Sequence, residues 1–106
     1  MRNGQIMTST VDALVVALCA DFARRKRILE RKTSSYPVIM ECRFLNYRML
    51  DAAAEIVGES LAEVFIREIG ERVGYSSTNL THLSESVYKA RKIEVKEAIA
   101  KRLCLV

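Results

Sequence analysis

The sequence predicts an all-α domain, a bundle of four or five helices. Half of its 106 residues are hydrophobic, while proline occurs once and glycine four times. Apolar residues recur at helical spacing, and no stretch shows the alternation of a strand. The length suits one domain with a single core. We predict a disordered lead over residues 1–8 and a single helical domain over residues 9–106.

Composition and charge restrict the class of protein. The net charge is +4 and the isoelectric point is about 9.1, which leans mildly toward polyanionic partners. The three cysteines are widely separated, which favours reduced thiols and a cytoplasmic location. With one histidine and no paired cysteines, we predict no metal site, no cofactor and no catalytic activity. The apolar run 11–20 is too short to cross a membrane and contains Asp12.

The first helix is predicted to begin at a cap formed by Ser9 or Thr10 and to continue without a break to residues 33–37. Its apolar face contains Val11, Leu14, Val15, Leu18 and Phe22. The same helix then becomes basic. Pro37 ends it, because the residue before a proline is disfavoured in the α region.

A second helix is predicted over residues 37–57, with Pro37 in the first turn. A coiled-coil-like seam repeats along it in steps of four and three, through Val38, Cys42, Leu45, Met49, Ala52 and Ile56. Such a seam fits either the interior of the bundle or the interface of a homodimer. The pattern does not separate the two, and we predict a homodimer.

The remaining helices follow two glycines. Gly58 ends the second helix, and Ser60 with Glu63 forms a predicted capping box at the start of the third. Gly74 is predicted to end the third helix in a left-handed conformation. A short fourth helix then runs to about residue 83. Residues 84–86 offer a cap for a last helix over 87–103.

Residues 62–92 have the spacing of a helix-turn-helix. A small residue, Gly70, would lie where a recognition helix crosses closely, and Gly74 would form the turn. The outer face of the short helix would present polar side chains that hydrogen-bond base edges and phosphates. These candidate DNA-binding residues are Ser76, Ser77, Asn79, Thr81 and His82.

The segment from Ile69 through Gly70 and Gly74 to Ser76 resembles a frequent pattern of the helix-turn-helix superfamily of bacterial and phage transcriptional regulators, with glycine in place of alanine. Residues 84–103 also look like the tail of small phage late-gene regulators. The two resemblances cover about fifteen and about twenty residues of the chain. They imply a helical, duplex DNA-binding regulatory protein of phage or prophage origin.

Two other interpretations of this region stay open. The segment 76–83 carries no lysine or arginine, whereas DNA affinity depends on phosphate neutralisation. In a shifted frame, residues 84–86 cap the reading helix, and Lys89, Arg91 and Lys92 contact DNA. In the simplest interpretation, Gly74 is an ordinary helix end and residues 76–83 only connect two packed helices.

A second group of basic residues lies earlier in the chain. Arg24, Arg25, Lys26 and Arg27 are consecutive, and Arg72 stands apart. Such a run is usually a solvated helix end, but its density also suits phosphates or an acidic protein partner. The leading prediction is thus a duplex DNA-binding regulator. The alternative is a non-catalytic helical module for protein–protein interaction, either an adapter or a small prophage component.

Overall fold

Five α-helices account for most of residues 7–106, the part of the chain that the computed structural model describes. They are α1 (Ser9–Ala20), α2 (Phe22–Arg31), α3 (Tyr36–Val57), α4 (Glu59–Gly70) and α5 (Glu85–Arg102). No strand occurs in these residues. The predicted all-α fold is confirmed. Most of the predicted disordered lead lies outside the described residues.

Helix α3 is the centre of the bundle, and it packs against α2, α4 and α5. Cys42, Met49 and Ala52 of the predicted seam are buried, and Leu45 and Ile56 pack against the core, so that the seam after Val38, which is 41% exposed, belongs to the bundle interior. The rest of the core comes from the other helices and includes Val15, Phe22, Phe65, Ile66, Tyr88, Val95 and Ile99.

The predicted continuous first helix is wrong, because the chain bends at Asp21 between α1 and α2. Thr8, not Ser9 or Thr10, caps α1, and its hydroxyl accepts a hydrogen bond from the N–H of Val11 at 3.1 Å. The bend leaves terminal carbonyl groups of α1 without helical partners. The guanidinium of Arg25 satisfies one of them, the carbonyl of Leu18, at 2.8 Å.

The predicted start and end of α4 are also wrong. Gly58, not Ser60, precedes the helix, and no side-chain cap forms there. The helix ends in a Schellman motif in which Arg72 holds the left-handed position with φ 57°. The N–H of Val73 donates to the carbonyl of Glu68 and that of Arg72 to Ile69. Gly74 has an extended backbone with φ −89°, so it does not form this turn.

Gly70 does mark a close approach, but the neighbouring helix is α1. A Cβ atom at this position would lie 2.5 Å from the backbone nitrogen of Ala20 and 2.6 Å from the carbonyl carbon of Cys19. Only glycine permits this separation between the two backbones. The small residue therefore joins α4 to the end of α1 and not to a recognition helix.

Candidate interaction surfaces

The segment predicted to be a recognition helix is not an α-helix. Residues 71–84 form a connector between α4 and α5, and its only regular element is one turn of 3-10 helix, Tyr75–Ser77. The predicted contact residues Ser76, Ser77, Asn79, Thr81 and His82 are all exposed. The first frame of the motif thus lacks the helix that would enter a groove, because polar capping residues here form turns instead.

A buried carboxylate organises this connector. The side chain of Glu68, 4% exposed, accepts hydrogen bonds from the hydroxyl of Thr78 at 2.6 Å and from that of Tyr88 at 2.7 Å. Its second oxygen accepts from the N–H of Asn79 at 3.1 Å. Burial alone would raise the pKa of Glu68, but these donors and the charge of Lys92 hold the pKa below its ordinary value.

Two polar residues of the connector lie near charged groups at the end of α4. Ser77 and Asn79 line a depression of about 330 Å³ together with Arg67, Glu68 and Glu71. Within residues 7–106, no hydrogen bond or ion pair joins the side chain of Asn79, Thr81 or His82 to the basic residues of α5. Sequence spacing alone gave no indication of the acidic neighbours, because they belong to the preceding helix.

Helix α5 begins where the shifted frame of the motif places the start of the helix that reads DNA. The hydroxyl of Ser84 caps the helix by accepting from the N–H of Val87 at 3.3 Å, which confirms the predicted cap. Lys89 is exposed and pairs with Glu85 at 2.8 Å, and Arg91 pairs with Glu94. The two cations are thus partly neutralised by their own helix.

Lys92 has an internal role that the sequence did not indicate. Its ammonium donates to the carbonyl of Val73 at 2.6 Å and lies 5.1 Å from the centre of the Tyr88 ring. Burial lowers its pKa, with a further decrease from Lys96. Lys92 therefore ties α5 to the connector, and a phosphate contact would have to replace this bond.

The basic run of α2 is not a uniform solvated face. Arg25 is 4% exposed, and its Nε donates to the amide oxygen of Asn46 at 2.6 Å, so the prediction of a phosphate contact there is wrong. Arg24 binds Asp21 at 2.6 Å, and Lys26 binds Glu63 at 2.8 Å. The remaining candidates, Arg27 and Arg72, are exposed and have no ion pair within the described chain.

An apolar stripe on the surface of α3 was not predicted from the sequence. It consists of Tyr36 (74% exposed), Met40 (38%), Phe44 (62%) and Tyr47 (66%). Steps of four, four and three residues place these side chains on one side of the helix, opposite the core seam. The signal was present in the sequence, because these four apolar residues recur at helical spacing on the side of α3 away from the seam.

The stripe is contoured and not flat. Met40, Arg43, Phe44 and Tyr47 line a depression of about 250 Å³. Tyr47 also borders a second depression of about 290 Å³ between α3 and α4, whose walls include Leu50, Asp51, Ala54 and Ala62. Apolar depressions next to exposed rings are typical of surfaces that bind protein side chains.

The rim of the stripe carries charges without opposite partners. Glu41 is exposed, and no cation pairs with it among residues 7–106. Arg48 stacks on the ring of Phe44, 5.1 Å from its centre, and donates to the main-chain carbonyl of Arg102, but it has no carboxylate partner in this part of the chain. A positive and a negative group are thus available at one edge of the stripe.

A further depression, of about 740 Å³, lies between α3 and α5. Its wall includes Arg102, which pairs with Asp51 and Glu55. In residues 7–106, no group of three or more histidine, cysteine or acidic side chains is placed to hold a metal ion, and no buried side-chain nitrogen or oxygen lacks a hydrogen-bond partner.

Comparison with known proteins adds no relative, since no protein-family model, curated protein or solved structure matches the chain. Over the described residues, none of the helices is both long enough and apolar enough to span a bilayer.

Proposed function

We propose that this chain is a non-catalytic protein–protein interaction module and that the apolar stripe of α3 is its contact surface. The observation that carries the proposal is the exposure of three aromatic rings and a methionine on one side of a single helix. Aromatic residues and methionine are enriched where proteins bind each other. Exposed apolar surface of this kind is costly to leave in water.

Local structure supports the stripe as a rigid surface. Its residues belong to the 22-residue helix α3, whose opposite face is anchored by Cys42 and Met49 in the core. The backbone under the stripe is therefore held in place before any partner arrives. Pre-organised anchors lose less conformational freedom on binding than residues of a loop.

Site-specific photocrosslinking tests this proposal. A benzophenone amino acid at Tyr47 of the full chain should crosslink to a protein in cells, while the same group at Leu14 gives no such product. Leu14 is the matched control, because it is also apolar and 47% exposed but lies on α1. The Tyr47 product should disappear with Phe44→Ser. No product from Tyr47, or equal products from both positions, would overturn the proposal.

Duplex DNA binding is the second candidate, and the observation in its favour is the capped N-terminus of α5 with Lys89 exposed. A helix N-terminus and a nearby lysine suit a phosphate. A titration of the full chain with random duplex DNA at low salt tests it, with Lys89→Ala as the variant. Lys89→Ala should weaken binding to all sequences. Absence of duplex retention at low salt would exclude this function.

A further inference from the structure

We propose that the occupant of the α3 stripe is the same stripe of a second copy, in an antiparallel pair related by a two-fold axis. This inference rests on the proposed function, because it names the partner of that surface. In such a pair, each contact between positions i and j occurs twice. The side chains along the stripe must therefore fit the same side chains of a second copy that runs in the opposite direction.

Charge complementarity selects the register. Glu41 and Arg48 are seven positions apart and lie on the same side of α3. In an antiparallel pair, residues on the same side of each helix meet. A two-fold axis level with residues 44 and 45 brings Glu41 of one copy beside Arg48 of the other, and the reverse. Both groups lack an opposite charge in the described part of their own chain.

The shape of the stripe agrees with this register independently. With the axis level with residues 44 and 45, Phe44 lies within one residue of Phe44 of the second copy, and Met40 lies within two residues of Tyr47. Tyr36 of the second copy then comes level with residues 53–54. That position is the depression between α3 and α4, which Leu50 and Ala54 line. The most exposed ring of the stripe thus meets a cavity of about 290 Å³.

The expected area is near that of a specific interface. An aromatic side chain buries about 150–250 Å². The six rings of two copies therefore approach the roughly 1,000 Å² that a biological interface needs. The opposite edge of the stripe is less favourable, because Arg43 of the two copies would lie near each other close to the axis. Arg43 therefore distinguishes the two possible occupants of the stripe. It opposes a second copy, whereas an acidic partner would bind it.

Sedimentation equilibrium of the full chain at several concentrations is the first measurement. The wild type should form a dimer, and Phe44→Ser should shift it to a monomer. Ile93→Ser, at an apolar and 43% exposed position of α5, should leave the dimer intact. Circular dichroism of each variant checks that the helices form. A dimer that persists in Phe44→Ser would overturn the proposed interface.

Charge reversal tests the register. Glu41→Arg should weaken the dimer at least tenfold, because two arginines then meet at each end. Glu41→Arg combined with Arg48→Glu should restore most of the affinity, whereas failure of this rescue would overturn the antiparallel register. Arg43→Gln should strengthen the dimer. A weaker dimer in Arg43→Gln would contradict the two-fold arrangement.

Sedimentation and crosslinking together distinguish a failure of the self-pair from a failure of the proposed function. A chain that is monomeric at all concentrations, and whose Tyr47 crosslinks only to a different protein, would overturn the self-pair and leave the interaction module supported. If Tyr47 gives no crosslink and the chain is monomeric, both proposals fail.

Discussion

The hydroxyl of Tyr88 donates a 2.7 Å hydrogen bond to the carboxylate of Glu68, and this contact joins α5 to α4 in the core. The Tyr88 ring packs against Phe65 and Tyr75, each with a distance of 5.8 Å between ring centres. Burial and the carboxylate raise the pKa of Tyr88 to about 12, so the hydroxyl stays protonated as a donor. The pair thus fixes the two helices on either side of the connector.

Removal of this donor is expected to lower stability. Tyr88→Phe keeps the ring and deletes the hydroxyl, so that the buried carboxylate of Glu68 loses one of its donors. Hydrogen bonds to charged groups contribute about 1.5–3 kcal/mol, and the free energy of unfolding should decrease by that amount. Urea unfolding followed by circular dichroism measures it. Tyr47→Phe is the control, because that ring is exposed, and it should have an effect below about 0.5 kcal/mol.

The pH dependence of stability should reveal Glu68. Its pKa is lowered in the folded chain and returns to about 4.5 on unfolding. A lowered folded pKa stabilises the fold above the unfolded value, and this contribution is lost as the pH falls below about 4.5. Glu68→Gln should be less stable than the wild type at neutral pH, and the difference should shrink in acid. Parallel stability curves for both proteins from pH 7 to pH 3 would contradict this assignment.

Gly70→Ala should destabilise the protein although alanine is the better helix former. The propensity gain is about 1 kcal/mol. The added Cβ would lie 2.5 Å from the backbone of Ala20, so α1 and α4 must separate. Overpacking of this kind typically costs about 1–3 kcal/mol, and the larger cost should decide the sign. Thermal unfolding measures the change, and an increase in melting temperature would exclude the close approach.

Substitutions at Gly74 and Arg72 should have effects opposite to those expected from the predicted left-handed turn at Gly74. Gly74→Ala should be neutral or stabilising by up to about 1 kcal/mol, because its φ is negative and its Cβ meets no atom within 4 Å. Arg72→Gly should also stabilise, since a left-handed non-glycine residue costs about 1–2 kcal/mol. If Gly74→Ala destabilises the protein, the left-handed residue at the end of α4 is Gly74, as the motif predicts, and not Arg72.

Arg25→Lys should be destabilising because the buried guanidinium binds several groups at once. Its nitrogens donate to Asn46, to Asp21 and to the carbonyl of Leu18. A lysine ammonium has no planar fork and cannot reach all three. The free energy of unfolding should fall by about 1–3 kcal/mol, the cost of leaving a buried acceptor without its donor. Arg27→Lys, at an exposed position of the same helix, is the matched control and should have little effect.

Features of the fold that depend on residues close together in the chain could be predicted from the sequence. The bounds of α3, the cap at Ser84 and the all-α fold follow from short-range signals of capping and periodicity. The burial of Arg25 does not, because its acceptor Asn46 is 21 positions away and only the packed fold brings them together. The segment 76–83 has good capping residues for a helix. Tertiary contacts with Glu68 instead hold it as turns, and this acceptor lies in the preceding helix.

The candidate site shows the same limit. The pattern of the apolar seam of α3 fits either the core or a dimer, and the fold uses the seam for the core. The stripe of Tyr36, Met40, Phe44 and Tyr47 on the opposite side was not predicted as a surface, although its spacing is equally regular. Two apolar faces on one helix indicate that the bundle covers only one of them. Which face is covered depends on where α2, α4 and α5 pack, and no local pattern contains that information.

The buried carboxylate of Glu68 also has a consequence for hydrogen exchange. Thr78, Asn79 and Tyr88 are bound to this one side chain, and the connector has little regular structure of its own. Loss of the carboxylate's charge should therefore free residues 78–80 while the helices stay closed and Lys92 still holds the carbonyl of Val73. The N–H of Leu80 donates to the hydroxyl of Thr78, so the amide protons of Asn79 and Leu80 would exchange with solvent together, through an opening smaller than global unfolding.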